Sequence, residues 1–301
     1  MKAKFTRAAA IQMVSTDVFE DNLNTALRLI AEAAEAGAGL VVLPENFAVL
    51  DGGPQTRYAE AEGDFQAPLQ AALSRAAREK GIYLVAGTMP LNTRPLNTQP
   101  FSIQPLDTSP ASAPGEASRV TDGRVRPASL VFGPDGSIRA RYDKIHLFDV
   151  EVSDRQARYA ESDSFEPGDQ CVVVDTEAGK LGLSICYDIR FPELYRRLVD
   201  DGAQIITVPA AFTQVTGQAH WEVLLRARAI ENQCYIIGAG QGGVHNERRE
   251  TFGHSMIVDP WGRVLALKER GEGIVFADMD LAALAEIRRK MPVQQHRRLR
   301  C

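Results

Sequence analysis

Cys186 ends the strand-like run Lys180-Leu-Gly-Leu-Ser-Ile-Cys186 and opens the turn Tyr187-Asp188-Ile189-Arg190-Phe191-Pro192-Glu193. Strand side chains alternate, so Leu181, Leu183 and Ile185 form an apolar face, with Gly182, Ser184 and Cys186 opposite. Pro192 suits the first turn of a helix, with Glu193 near its positive end. A thiol at such a turn can use backbone N–H groups to favour its thiolate and to bind an oxyanion. The alternative is a buried structural cysteine, since free Cys is among the most buried residue types. Two further segments bear on the choice. Gly39-Leu-Val-Val-Leu-Pro-Glu45 is an apolar run of strand length with a carboxylate just past its end. Arg141-Tyr-Asp-Lys144-Ile-His-Leu-Phe-Asp149 sets a lysine among apolar and aromatic residues. Alone, Glu45 could be a solvated strand-end acid and Lys144 a surface lysine. Together with Cys186 they supply a base, a cation and a nucleophile, the parts needed for acyl transfer from an amide.

The three segments, Leu-Pro-Glu45, Tyr-Asp-Lys144-Ile-His-Leu-Phe-Asp and Ile-Cys186-Tyr-Asp-Ile-Arg-Phe-Pro-Glu, stand in the order of the nitrilase, or carbon–nitrogen hydrolase, superfamily, which the chain resembles from about Arg7 to Arg298. The resemblance implies a Glu45-Lys144-Cys186 triad, with a further family glutamate at Glu161. It implies the family's α/β fold, a four-layer αββα sandwich, dimerised face to face. This chain departs at Ala160, where relatives usually carry Arg. The chemistry gives each residue a role: Glu45 the general base, Cys186 the nucleophile, Lys144 and the Tyr187 backbone N–H the oxyanion donors. Glu161 would position Lys144 or assist substrate and water. No cofactor is required.

The run Phe212-Thr-Gln-Val-Thr216-Gly through Tyr235, together with Phe252-Gly-His-Ser and Pro292-Val-Gln-Gln-His, resembles the Nit branch of that superfamily, and within it the deaminated glutathione amidases. The expected substrate is a small amide carrying a 2-oxoacid carboxylate; omega-amidase activity on 2-oxoglutaramate or 2-oxosuccinamate is the alternative. A catalytically idle binding partner on the same fold is a third reading. Arg190 is the candidate cation for the substrate carboxylate, because a guanidinium binds carboxylates bidentately. An intramolecular pair with Asp188 or Glu193 is the competing role. By the resemblance Phe47, Phe212 and Thr216 line the pocket; Phe212 could equally be core.

The elements that must position these groups alternate strand and helix, which implies layered α/β packing. Helices are expected from a cap at Asp17 or Asp21 to about Ala36, and over 67–80, 192–201, 219–233 and 281–290. Strands are expected around Glu45, over 82–88, and in hairpins around Pro134-Asp-Gly136, Glu177-Ala-Gly179 and Asp259-Pro-Trp-Gly262. One carbon–nitrogen hydrolase domain over 1–301 is the reading, with an insertion at 91–125. That segment holds five prolines and eight Ser or Thr and is read as a mobile loop, either a lid or a passive insertion.

The net charge of −5 and the lack of long basic runs argue against nucleic acid and anionic membranes. No run reaches the ~20 apolar residues of a membrane span, and the start lacks a signal-peptide pattern. Four cysteines without framework spacing fit a reducing cytoplasm. The five histidines are scattered, so no metal site is expected.

Overall fold

The computed structural model describes residues 5–50, 58, 68–92, 104–105 and 124–299. Most of the 91–125 segment, and with it the choice between lid and passive insertion, lies outside the described residues.

Two sheets carry the chain. In the first, strands Gly273–Asp280, Phe5–Gln12, Leu40–Val42, Tyr83–Val85, Arg126–Phe132 and Met89–Leu91 lie in that order, and Ile138–Asp143 also pairs with Arg126–Phe132. In the second the order is Val173–Thr176, Gly179–Leu183, Ile205–Ala210, Tyr235–Gly240, Ser255–Val258 and Val264–Lys268. The period of two divides each strand between two neighbours. Ala8, Ala10, Leu40, Val42, Val85 and Tyr142 join Leu183, Val208 and Met256 in one apolar cluster between the sheets. Ala9, Ile11, Val41, Leu43, Leu84 and Leu130 face the other way, onto Leu29, Ile30 and Ala33 of helix Phe19–Glu35 and Leu73 and Ala77 of helix Pro68–Lys80. Helices Pro192–Asp200 and Gln214–Asn232 cover the second sheet through Leu194, Leu198, Trp221 and Leu225. The order helix, sheet, sheet, helix is the expected αββα sandwich.

Three local expectations are corrected. Neither Asp17 nor Asp21 caps the first helix; Val18 stands at its N-cap without a side-chain bond. Asn22 instead ties the entry, accepting from the Thr16 N–H at 2.9 Å and donating to the Thr16 and Ala48 carbonyls. The helix expected from residue 219 begins at Gln214, with Thr213 as its N-cap. The strand expected over 82–88 is confined to Tyr83–Val85, after which the chain turns through Gly87 at φ +39°. A Cβ on Gly87 would lie 1.9 Å from the Pro44 carbonyl oxygen, so only glycine lets this turn press against the segment that carries Glu45.

Candidate active site

Each of the three candidate groups follows shortly after the end of a strand. Leu40–Val42 runs through Leu43 and Pro44 to Glu45, and Asn46 then takes a left-handed φ of 55°. Ile138–Asp143 ends one residue before Lys144, whose N–H donates to the Pro127 carbonyl at 3.0 Å. Gly179–Leu183 ends before Cys186, which itself sits at φ +46° at the head of a 3-10 turn, Cys186–Arg190. A non-glycine residue there is strained and persists only where its surroundings hold it.

Asp188 does that holding. Its fully buried carboxylate accepts from the Ile185 N–H at 2.8 Å, the Tyr142 hydroxyl at 2.7 Å and the His146 N–H at 3.1 Å. His146 Nδ1 lies 2.7 Å from the same carboxylate, and its ring stacks on Phe191 at 3.6 Å. One side chain thus joins the turn of Cys186 to the strand and loop of Lys144.

Lys144 is 1% exposed and lies between two carboxylates. Its Nζ is 2.9 Å from Glu45 Oε1 and 2.9 and 2.8 Å from the two oxygens of Glu161. Glu45 Oε2 accepts from the Ala211 N–H at 2.8 Å, and Glu161 Oε2 from the Phe148 N–H at 2.7 Å. Glu161 is therefore paired despite Ala160 beside it. Burial works against the Lys144 charge, but Glu161 and Glu45 outweigh it and raise the ammonium pKa well above its usual value. Burial pushes Glu161 up, opposed by Lys144 and helped by Glu45. Cys186 is 7% exposed. Burial, then the Glu45 charge, raise its thiol well above the ordinary range, while Lys144 pulls it down. Burial and the Glu45 charge thus work against the thiolate that the sequence reading favours, and Lys144 works for it.

These groups open onto a cavity of about 380 Å³, within the range of small-molecule sites. Tyr187, Phe212 and Thr216 line it as expected. Phe47 does not: it is 0% exposed and packs with Ile11, Leu43 and Ala48 in the sheet–helix core. Arg190 is not at the wall either. Its guanidinium stands 5.7 Å from the Tyr187 ring and 5.3 Å from the Phe212 ring, with Nη1 3.2 Å from His220 Nδ1. Nor does it pair with Asp188 or Glu193 among the described residues. The wall instead carries Arg249, with Tyr159, Gln156, Phe148 and Phe165. Arg249 lies in the charged run Glu247-Arg248-Arg249-Glu250, which by pattern reads as a solvated loop. Nothing in the sequence separates it from Arg248.

Among the described residues no group of three or more His, Cys, Asp or Glu could hold a metal ion, and no helix is long and apolar enough to cross a membrane.

A buried cysteine beside a Glu–Lys–Glu cluster on an αββα sandwich defines a class, and comparison agrees: the carbon–nitrogen hydrolase family model matches residues 7–289, and the chain belongs to that family. It is similar to the deaminated glutathione amidase of Yersinia enterocolitica, 39% identical over 98% of this chain and 94% of that one. An omega-amidase of Xenopus laevis is 38% identical over 98% of this chain and 96% of its own. Among solved structures, Nit3 of Saccharomyces cerevisiae, described as a member of branch 10 of the nitrilase superfamily, superposes with a TM-score of 0.80 at 28% identity over 98% of this chain and 97% of that one. The protein is an amidase of this family.

Proposed function

We propose that this amidase hydrolyses deaminated glutathione to 2-oxoglutarate and cysteinylglycine, with Cys186 as nucleophile. The observation that carries the mechanism is the meeting of Cys186, Glu45 and Lys144 at one cavity, with Glu45 held by Lys144 Nζ at 2.9 Å and by the Ala211 N–H at 2.8 Å. Glu45 takes the thiol proton as Sγ bonds to the amide carbonyl carbon. The carbonyl oxygen becomes an oxyanion, held by the Lys144 ammonium and the Tyr187 N–H. As the tetrahedral intermediate collapses, the C–N bond breaks and Glu45 returns its proton to the leaving amine. Water then attacks the thioester, losing a proton to Glu45, and the acid departs as the proton goes back to the sulfur. Glu161 keeps Lys144 in place and charged. Phe212, Thr216 and Tyr187 form the wall against which the substrate lies.

The substrate follows from the relatives and from the size of the cavity, which can admit a dipeptide leaving group. The 38% identity to an omega-amidase supports 2-oxoglutaramate as a second substrate. The chain reads as a homodimer of one domain. Val223 (67% exposed), Ile230 (47%) and Trp261 (61%) offer apolar surface on and beside helix Gln214–Asn232 for a second copy. A reducing cytoplasm would keep the nucleophilic thiol usable. The test is a side-by-side assay of deaminated glutathione and 2-oxoglutaramate with the wild type and Cys186→Ala. Release of cysteinylglycine, lost in the variant, with an acyl adduct trapped on Cys186, is expected. An active Cys186→Ala, or an adduct on Cys171 or Cys234, would sink the assignment. Equal efficiency on both substrates would make the enzyme a general 2-oxoacid omega-amidase.

A further inference from the structure

A carboxylate that moves protons must be fixed at both ends, at its oxygens and at the main chain that carries it. The oxygens of Glu45 are held by Lys144 Nζ and the Ala211 N–H. Its main chain is held by two side chains that do not line the cavity, Gln241 and Ser15. Gln241 is 0% exposed and Ser15 1%. Gln241 Nε2 donates to the Glu45 carbonyl at 3.0 Å and to Ser15 Oγ at 2.8 Å, and its Oε1 accepts from the Ser15 N–H at 3.0 Å. Ser15 Oγ in turn donates to the Phe47 carbonyl at 2.9 Å. A carbonyl on one side and an N–H on the other admit only one orientation of the Gln241 amide, and both of its donor hydrogens are used. Between the two gripped carbonyls stands Asn46 at φ 55°, whose N–H donates to Thr88 Oγ1 at 2.8 Å. A left-handed residue other than glycine persists where its surroundings over-determine it. Here Gln241, Thr88 and Ser15 hold the backbone on either side of it.

The pair also joins the two sheets. Ser15 follows strand Phe5–Gln12 of the first sheet, and Gln241 directly follows strand Tyr235–Gly240 of the second. The Gln241 N–H donates to the Ala210 carbonyl at 2.9 Å, one residue before the Ala211 N–H that binds Glu45 Oε2. Gln241 is thus tied both to the main chain of Glu45 and to the strand end that fixes its carboxylate. We propose that Gln241, braced by Ser15, is a positioning residue that aims Glu45 for proton transfer. The inference rests on the reading of Glu45 as general base and adds the residue that sets its aim. Displacing a reacting group by about 1 Å can cost on the order of a hundredfold in rate. A partial release of the Glu45 turn therefore shows in kcat, whereas a network that only supports the fold shows in the unfolding midpoint.

The experiment is a double-mutant cycle read on 2-oxoglutaramate and deaminated glutathione. It compares wild type, Gln241→Met, Glu45→Gln and the two combined, below the unfolding midpoint of the least stable protein. Gln241→Met keeps the length of the side chain and removes its three bonds. It should lower kcat about tenfold or more with KM within about threefold, the pattern of a loss felt in the transition state. In the Glu45→Gln background the same substitution should change kcat by less than about threefold, because residues that act through one another are non-additive. Ser15→Ala frees the Phe47 carbonyl but leaves the Gln241 bond to Glu45. It should show a smaller loss in kcat that also vanishes in the Glu45→Gln background, and it decides the matter if Gln241→Met does not fold. Equal factors in both backgrounds, a normal kcat in a destabilised variant, or a raised KM with kcat unchanged would each overturn the proposal while leaving Glu45 as the base. Near-normal turnover of Glu45→Gln itself, or a wild type that cleaves neither amide, would remove the underlying reading and this assignment with it.

Discussion

Tyr142 donates its hydroxyl to Asp188 across 2.7 Å, and both side chains are wholly buried. Tyr142 belongs to the strand that ends at Lys144, and Asp188 to the turn that begins at Cys186. The bond therefore fastens the candidate cation's element to the candidate nucleophile's. Tyr142→Phe keeps the ring and leaves the buried carboxylate one donor short. A hydrogen bond to a charged group is worth about 1.5–3 kcal/mol, and the urea midpoint should fall accordingly. Turnover should fall too, since the strained Cys186 backbone loses part of its support. A midpoint equal to wild type would mean that the three remaining partners satisfy Asp188 without Tyr142.

Glu45→Gln should separate thiol acidity from catalysis. The Glu45 charge is, after burial, the largest cause that raises the Cys186 pKa. Removing it lowers that pKa, so the variant holds more thiolate at any given pH. Alkylation of Cys186 by iodoacetamide, followed against pH, should show a midpoint displaced to lower pH. Turnover should nonetheless drop on the order of a hundredfold or more, because no base remains for the amine-protonation and hydrolysis steps. An unmoved midpoint would show that the carboxylate does not act on the thiol.

The layered fold, and the meeting of Glu45, Lys144 and Cys186 at one cavity, were legible because they rest on local patterns: period-two strands, helices with clear ends, and three motifs spaced far apart in the chain. What failed to be legible depends on backbone turns and tertiary approach. Phe47 follows Glu45 closely, but the left-handed turn at Asn46 sends it into the core beneath the site. The early start of helix Gln214–Asn232 was hidden by Gly217, since glycine in a helix costs roughly 1 kcal/mol. Here it is tolerated because a Cβ would come 2.3 Å from the Phe252 Cβ. Arg249 carried no signal at all: its run looks like any solvated charged loop, and only the packing of that loop on Tyr159 and Ala211 turns it inward.

Arg190→Lys now has a different expected outcome from the one its position in the sequence suggests. The side chain lies behind the Tyr187 and Phe212 rings, outside the cavity wall. Losing its stacking and its His220 contact should lower activity only a few-fold, by roughly 0.5–1 kcal/mol for an exposed cation–π pair. The loss should be the same for amides with and without a carboxylate. A ratio of kcat/KM values that shifts specifically against 2-oxoacid amides would return the carboxylate to Arg190.

Lys144→Met should be costly for folding as well as for turnover, and the cost should depend on pH in a defined sense. The substitution leaves Glu45 and Glu161 facing one another in a site where their side chains are 6% and 16% exposed. Removing one partner of a buried ion pair typically costs about 3–5 kcal/mol, and that is the expected loss at pH 8. Glu161 already has a raised pKa from burial, with Lys144 as the opposing influence. Without the lysine its pKa in the folded protein rises further, while its value in the unfolded chain is unchanged. The folded state then holds a proton more tightly than the unfolded state does, so lowering the pH through the folded pKa restores stability. The difference in urea midpoint between variant and wild type should therefore be large at pH 8 and shrink toward pH 5. Taking the difference removes titrations common to both proteins. A difference that stays constant across that range would mean that the lost packing of the lysine stem, and not the repulsion of two carboxylates, accounts for the destabilisation.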